Sequence, residues 1–197
     1  MSFLYLVPTG MNDVNQPGWG SWAGRYGRNE TFPDSSYYWA NQTDAWHGTT
    51  NRDNTLARWA ADLQNDFRAR LEWCVQNYAH ANHAPCVVVN GHSGSGIVRI
   101  QVENRRTATT GESVIELSAA GSADPDGDAL AYEWSVYPEA GTYRGEVPTI
   151  ENSQSPRARL RVPVGLGAHE LHVILTVRDT GKPALARYRR LMITDLQ

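Results

Sequence analysis

Hydrophobic positions change their period part way along this chain. Between residues 56 and 78, apolar side chains recur at three- and four-residue steps: Leu56, Trp59, Ala60, Leu63, Phe67, Leu71, Cys74, Val75 and Tyr78. That spacing lays one stripe along an amphipathic helix. Asp53, Asn54 or Thr55 can cap its first turn, and Asn82 and Pro85 mark its exit. The opposite face carries Arg58, Asp62, Asn65, Arg68, Glu72 and Gln76, which predicts a solvated surface. After Pro85 the period falls to two. Residues 87–89, 97–102, 114–117, 130–136, 158–162, 171–177 and 188–193 are short β-prone runs separated by Gly, Pro, Asp and Ser turns. Seven such runs in about 110 residues are the expected content of an immunoglobulin-like β-sandwich. Trp134 falls in the middle of one run, where its ring is expected to anchor the core between two sheets. No cysteine pair spans the sandwich, so an antibody-type domain is excluded.

The region before the helix has a different character. Residues 3–7, Phe-Leu-Tyr-Leu-Val, form a short apolar run ended by Pro8 and Gly10, which suits a buried strand of an α/β sheet. From residue 12 to 52 periodicity is weak, and Gly, Pro, Asn, Asp and Ser punctuate a stretch holding Trp19, Trp22, Tyr26, Tyr37, Tyr38, Trp39 and Trp46. This is a long loop too aromatic to be a disordered linker. The fold class expected is therefore mainly β, with a helical and loop N-terminal segment over 1–85 and an immunoglobulin-like β-sandwich over 86–197.

Composition narrows the function classes. A hydrophobic fraction of 41% with 20% charged residues is globular. The run over 3–7 is too short to cross a bilayer and lacks the flanks of a signal peptide, so no membrane partner is expected and any export signal must lie upstream. A net charge of −3 argues against nucleic acid, which needs clustered positive charge. Arg189 and Arg190 are expected as one solvated and one rim side chain on a strand. Cys74 falls on the apolar helix face as a buried free thiol, and no disulfide with Cys86 is expected.

Few residues suggest chemistry. Asp124, Asp126 and Asp128 crowd one turn and could bind calcium, yet Asp and Gly are also what a tight turn requires, and the turn is the expected role. His80 and His83 have a spacing that holds zinc only if a third ligand arrives from elsewhere. Asp44 and His47 could form an acid/base pair. The stretch from Gly91 to Gly96 carries no lysine and leads into no helix, so it is not a phosphate loop. No metal, cofactor or catalytic residue is assigned. The aromatic segment is the remaining feature: exposed Trp and Tyr rings stack on the C–H faces of sugars while nearby Asn, Asp and Arg bond to hydroxyls. Trp19, Trp22, Tyr26, Trp39 and Trp46 are the candidate carbohydrate-binding residues. The alternative is that the glycines of the Trp19 segment turn the backbone sharply and the rings pack inward.

Several longer motifs bear a family stamp. These are Ser2-Phe3-Leu4-Tyr5-Leu6-Val7-Pro8-Thr9-Gly10, Trp19-Gly20-Ser21-Trp22-Ala23-Gly24-Arg25-Tyr26, and Gln64-Asn65-Asp66-Phe67-Arg68-Ala69-Arg70-Leu71-Glu72-Trp73-Cys74. Ala81-Asn82-His83-Ala84-Pro85, Gly121-Ser122-Ala123-Asp124-Pro125-Asp126-Gly127-Asp128 and Tyr137-Pro138-Glu139-Ala140-Gly141-Thr142-Tyr143 continue the pattern. Together they resemble a bacterial cellulose-binding protein family whose long members start with a nucleoside-hydrolase-like domain and end in an immunoglobulin-like one. The resemblance implies that 1–85 is the C-terminal remnant of that first domain. It further implies a polysaccharide as partner, an extracellular or periplasmic location, and a missing N-terminal domain or another copy of the chain as protein partner. It departs at the front, where the aspartate cluster that opens a nucleoside hydrolase has no counterpart before Phe3. The isolated chain is accordingly expected to bind carbohydrate or serve as an accessory fragment. The rival readings are the C-terminal part of a glycosyl-cleaving hydrolase completed by a missing region, or a purely structural docking domain.

Overall fold

The computed structural model describes residues 8–29, 39–102, 113–162 and 165–195. The strand expected over 3–7, and Tyr37 and Tyr38, lie outside the described residues. Two short hairpins open the fold: β1 (Tyr26–Arg28) pairs antiparallel with β2 (Trp39–Asn41), and β3 (Asp44–Trp46) with β4 (Thr49–Asn51). Helices α1 (Asn54–Ala57) and α2 (Ala60–Trp73) follow. The sandwich is built from β5 (Val98–Val102), β6 (Ser113–Ser118), β7 (Leu130–Val136), β8 (Ile150–Glu151), β9 (Arg157–Val162), β10 (Leu171–Asp179) and β11 (Ala186–Asp195). One sheet has the order β5-β11-β10-β7, with β5 parallel to β11, and the facing sheet has the order β6-β9-β8. The mainly β fold with a helical N-terminal segment is as the pattern predicts. Residues 87–89 differ, since only Val89 makes an isolated bridge, to His92, beside one from Cys86 to Ala123. The two-residue β8 is too short to leave a periodic signal.

Alternation explains the sandwich core. Along β9, Arg157, Arg159 and Arg161 point out while Ala158, Leu160 and Val162 point in, as the two-residue repeat of a strand requires. Trp134 is 3% exposed within this core, and its Nε1 donates to the Ser155 carbonyl at 2.9 Å, so the indole meets both its apolar and its polar needs. In β10 Val173, Leu175 and Val177 face the second sheet, yet the intervening His172, Ile174 and Thr176 are buried too. Their cover is the N-terminal segment. Met11, Trp22, Trp59, Tyr137, Ala140, Ile174, Ala186 and Tyr188 make a second core on the outer face of the four-stranded sheet. The portions on either side of residue 85 therefore share packed side chains.

Arginine fastens this third layer. Arg190, fully buried, donates through Nε to the Met11 carbonyl at 2.6 Å and through Nη2 to the Trp19 carbonyl at 2.8 Å. The expectation of solvated and rim positions for Arg189 and Arg190 is thus corrected: both are buried, and burial pushes the Arg189 guanidinium pKa down. Main-chain bonds add to the attachment, Tyr188 N–H to the Thr9 carbonyl at 2.9 Å and Arg190 N–H to the Gly10 carbonyl at 3.2 Å.

The helix exists where the period places it, but in two pieces and rotated: Trp59 and Leu63 of the apolar stripe pack on the sheet, while Phe67, Leu71 and Val75 face out. Asp53 makes no side-chain cap; instead Asn51 Oδ1 accepts the Asn54 N–H at 2.9 Å. Asp62, expected in solvent, and Asp66 one turn on are 5% and 3% exposed against the sheet. Asp62 accepts two bonds from Arg178, each 2.9 Å, and a third from Tyr188 Oη at 2.5 Å. Asp66 pairs with Arg187 at 3.1 Å and Arg70 at 2.6 Å. The physical reason is that the outer sheet face offers arginines and a tyrosine hydroxyl, which take carboxylates in preference to leucines. Cys74 is likewise exposed, not buried, and both cysteines are free thiols.

Candidate functional site

The site begins with a buried carboxylate. Asp44, the first residue of β3, is wholly buried and accepts from Arg25 Nε at 2.8 Å, Arg58 Nη1 at 3.0 Å and Tyr137 Oη at 2.6 Å. Burial and then the Asp44 charge push the Tyr137 pKa well above the usual phenol range, so the hydroxyl stays a donor. The Arg58 guanidinium sits 4.1 Å from the centre of the Tyr137 ring. Beside it Glu139 Oε1 accepts the Ala45 N–H at 2.8 Å, tying β3 to the short 3-10 helix Pro138–Ala140. Asp44 is committed to this network, so the proposed acid/base pair with His47 does not form. His47 instead is exposed and lies edge-on to Trp46 at 4.0 Å.

Outside the network a groove of about 410 Å³ is lined by Arg25, Gln42, Glu139, Tyr143 and Arg144. Its guanidinium and amide N–H groups donate and its carboxylate accepts, the complement of a row of sugar hydroxyls. Gln42 and Arg25 continue directly into the first hairpin, where the register sets Tyr26 opposite Asn41 and Arg28 opposite Trp39. Residues two apart on a strand share a face, and so do cross-strand partners; Tyr26, Arg28, Trp39 and Asn41 therefore lie on one face. Trp39 is 49% exposed there and Tyr26 is half-buried.

The five aromatic candidates thus separate. Trp19 and Trp22 are 7% and 1% exposed and offer no ring face to a ligand, which corrects their assignment as platform residues. Trp22 Nε1 donates to Tyr188 Oη at 3.2 Å, and Trp19 packs edge-on against His172. Gly20, at φ +83°, lets this happen, because a Cβ there would lie 2.7 Å from the Tyr137 hydroxyl. Tyr26, Trp39 and the half-buried Trp46 remain on the outside. Arg25, Gln42, Arg58, Glu139, Tyr143 and Arg144 were not anticipated as site residues. Their partners lie up to 94 positions away, and the motifs Trp19–Tyr26 and Tyr137–Tyr143 flagged only the neighbourhood.

The acidic turn is a structural device. Asp124 Oδ1 accepts the N–H groups of Asp126 at 2.8 Å and Asp128 at 3.2 Å, and Asp126 receives the His83 N–H at 2.6 Å and faces its Nδ1 at 2.9 Å. Burial opposes it, but these His83 bonds lower the Asp126 pKa. The His83 ring also lies against those of Trp73 and Tyr78. Among the described residues no three His, Cys, Asp or Glu side chains group as metal ligands, and no helix is long and apolar enough to cross a membrane.

A solved nucleoside hydrolase-related hypothetical protein from Saccharophagus degradans, described as associated with carbohydrate metabolism, is similar over 98% of this chain at 31% identity with a TM-score of 0.80. This chain spans 46% of that protein. A mouse clustered protocadherin fragment, PcdhgC3 EC1-3, matches 62% of this chain and 36% of its own at 18% identity and a TM-score of 0.35. The PKD domain of the KIAA 1837 protein matches 53% of this chain and 93% of its own at 17% identity and a TM-score of 0.29. These last two likenesses are too slight to bear on the fold or the site. No curated protein matches the chain. Residues 114–195 match the family model of the cellulose-binding protein Sde0182, C-terminal domain. By that match and the shared fold, residues 114–195 are similar to the C-terminal domain of the cellulose-binding protein Sde0182, and the chain as a whole to part of the longer Saccharophagus degradans protein.

Proposed function

We propose that this chain is a carbohydrate-binding accessory module of a larger extracellular or periplasmic protein, taking cellulose or a related polysaccharide. The observation that carries the reading is Trp39, exposed on the same face as Tyr26 of a hairpin whose neighbouring residues Arg25 and Gln42 line a groove with Glu139 and Arg144. A ring stacks on the apolar face of one sugar, and the donors and acceptors of the groove fix the hydroxyls of the next. The immunoglobulin-like sandwich holds the hairpins rigid from behind, through Asp44 and Tyr137. Retention on insoluble cellulose, and on related glucans in parallel, tests the proposal. Trp39→Ala is expected to elute where the parent protein is retained; equal retention of the two would remove Trp39 from the contact.

A further inference from the structure

Arg189 is a buried cation without a counter-charge. It is 2% exposed, and its Nε and Nη1 are out of solvent with no hydrogen-bond partner. The other arginines at this end of the sheet are paired, Arg187 with Asp66 and Arg178 with Asp62. Withdrawing a guanidinium from water with nothing to balance it is costly. A group left in that state points to a missing partner.

The surroundings say what that partner is. In β11 Arg189 lies opposite Leu175 of β10, and cross-strand partners share a face, so Arg189 is directed to the inner side of the sheet with the sandwich core. There it borders a cleft of about 630 Å³, roomy enough for a small ligand, between the Pro8–Gly10 backbone and the connector that follows α2. Pro8, Pro85, Val87 and Val88 give that cleft carbon walls, and Trp73 stands at its side, held by its Nε1 donating to the Asn82 carbonyl at 2.8 Å. Ser93 adds a hydroxyl beside Arg189, and among the described residues no Asp or Glu lines the cleft. A single buried guanidinium balances one negative charge, and its planar fork of N–H groups matches the two oxygens of a carboxylate. We propose that Arg189 is the anion-binding residue of a second ligand site, in which the cleft beside Trp73 takes a small carboxylate with an apolar, aromatic body. None of these residues belongs to the Trp39 surface, so the site stands independently of polysaccharide binding.

Isothermal titration of this chain with 3-phenylpropanoate tests it, with the neutral 3-phenylpropanamide and with acetate as controls. The acid should bind with a Kd below about 1 mM, and the amide, which lacks the charge, and acetate, which lacks the apolar body, should each bind at least about tenfold more weakly. Arg189→Met keeps the length of the side chain and deletes the charge. It should lose the acid by at least about tenfold and melt no lower than the parent protein, because an unpaired buried cation is removed. Trp39→Ala should bind the acid as the parent does. Equal affinity for acid and amide would overturn the proposal, as would binding that survives in Arg189→Met or disappears in Trp39→Ala. So would the absence of any binding of the acid at about 10 mM. A lowered melting temperature of Arg189→Met would count equally against it, since the guanidinium would then have its partner within the folded chain.

Discussion

Tyr137 Oη donates a 2.6 Å hydrogen bond to Asp44 Oδ2, joining two residues 93 positions apart. The carboxylate is wholly buried and also holds Arg25 and Arg58, whose side chains are each 13% exposed. Removing its charge leaves the nearly buried Arg25 guanidinium without this counterion and Arg58 with only Glu139, at 3.8 Å. Asp44→Asn should therefore cost about 3 to 5 kcal/mol, while Tyr137→Phe, which deletes only one donor, should cost about 1 to 3 kcal/mol. Denaturant titration of both variants checks the order; Tyr137→Phe as damaging as Asp44→Asn would mean that the arginines are not held by the carboxylate.

His172 gives the fold an acid-sensitive element. It is wholly buried, with Nδ1 3.0 Å from Arg190 Nη1, Trp19 edge-on, and Glu170 at 3.7 Å from Nε2. Burial, followed by the charges of Arg190 and Arg99, pushes its pKa down to about 3 from 6.5. The unfolded chain therefore binds a proton that the folded one refuses. The stability contribution is complete above pH 6.5 and is lost as pH falls through the window from 6.5 toward 3. Unfolding free energy should drop by up to about 1.4 kcal/mol per pH unit below pH 6 from this group. Urea midpoints from pH 7 to pH 4 read the slope, and a His172→Phe variant should flatten it; an unchanged slope would place the proton elsewhere.

How far the sequence speaks depends on the distance over which a residue finds its partner. Alternation located β6, β7, β9, β10 and β11 because inward and outward positions two apart feel different surroundings. Trp134 was placed correctly for the same reason. The α2 period was equally clear, but a period says that two faces differ and not which neighbour each will meet. Asp62 and Asp66 are buried because Arg178 and Arg187 wait more than 100 residues downstream. Nor does local sequence separate Trp22 from Trp39. Trp22 needs Tyr188, 166 positions away, to satisfy its indole N–H, and nothing beside it announces that. The groove was hidden likewise, since Arg25 and Glu139 converge only once the hairpins dock.

The rotated helix makes its own prediction. Asp62→Asn removes the charge that faces Arg178 and Tyr188 and should destabilise by about 2 to 4 kcal/mol, whereas Phe67→Ser should shift stability by under about 0.5 kcal/mol. That ranking is the reverse of what an ordinary amphipathic helix would give. Thermal melts of the two variants decide, and a larger loss for Phe67→Ser would show the apolar stripe to be packed in solution.

Gly10 tests how the N-terminal layer is attached. Its φ is +89°, and a Cβ there would lie 1.9 Å from the Tyr188 carbonyl oxygen, a main-chain atom that cannot move aside cheaply. Gly10→Ala must break the bonds that Thr9 and Gly10 carbonyls accept from Tyr188 and Arg190. Amide exchange at Tyr188 and Arg190 should accelerate by orders of magnitude while Leu160 and Val173, in the sandwich core, keep their protection. Loss of protection at all four would make the two cores one cooperative unit.

Trp22 and Trp39 separate packing from recognition. Trp22 is 1% exposed between Met11, Trp59 and Tyr188, so Trp22→Ala opens a cavity and should cost about 3 to 5 kcal/mol, a large share of the stability of a small protein. Trp39 is 49% exposed, and Trp39→Ala should change stability by under about 0.5 kcal/mol. On insoluble cellulose the order reverses in meaning: Trp39→Ala should be lost from the pellet while still folded, and Trp22→Ala, where enough of it stays folded at low temperature, should still be retained. Glu139→Gln provides the third point, since it keeps an acceptor for the Ala45 N–H but removes charge from the groove, and it should weaken retention without unfolding. Weakened retention that tracks melting temperature across all three variants would mean that the sugar is bound elsewhere and that the hairpin surface matters only through the fold.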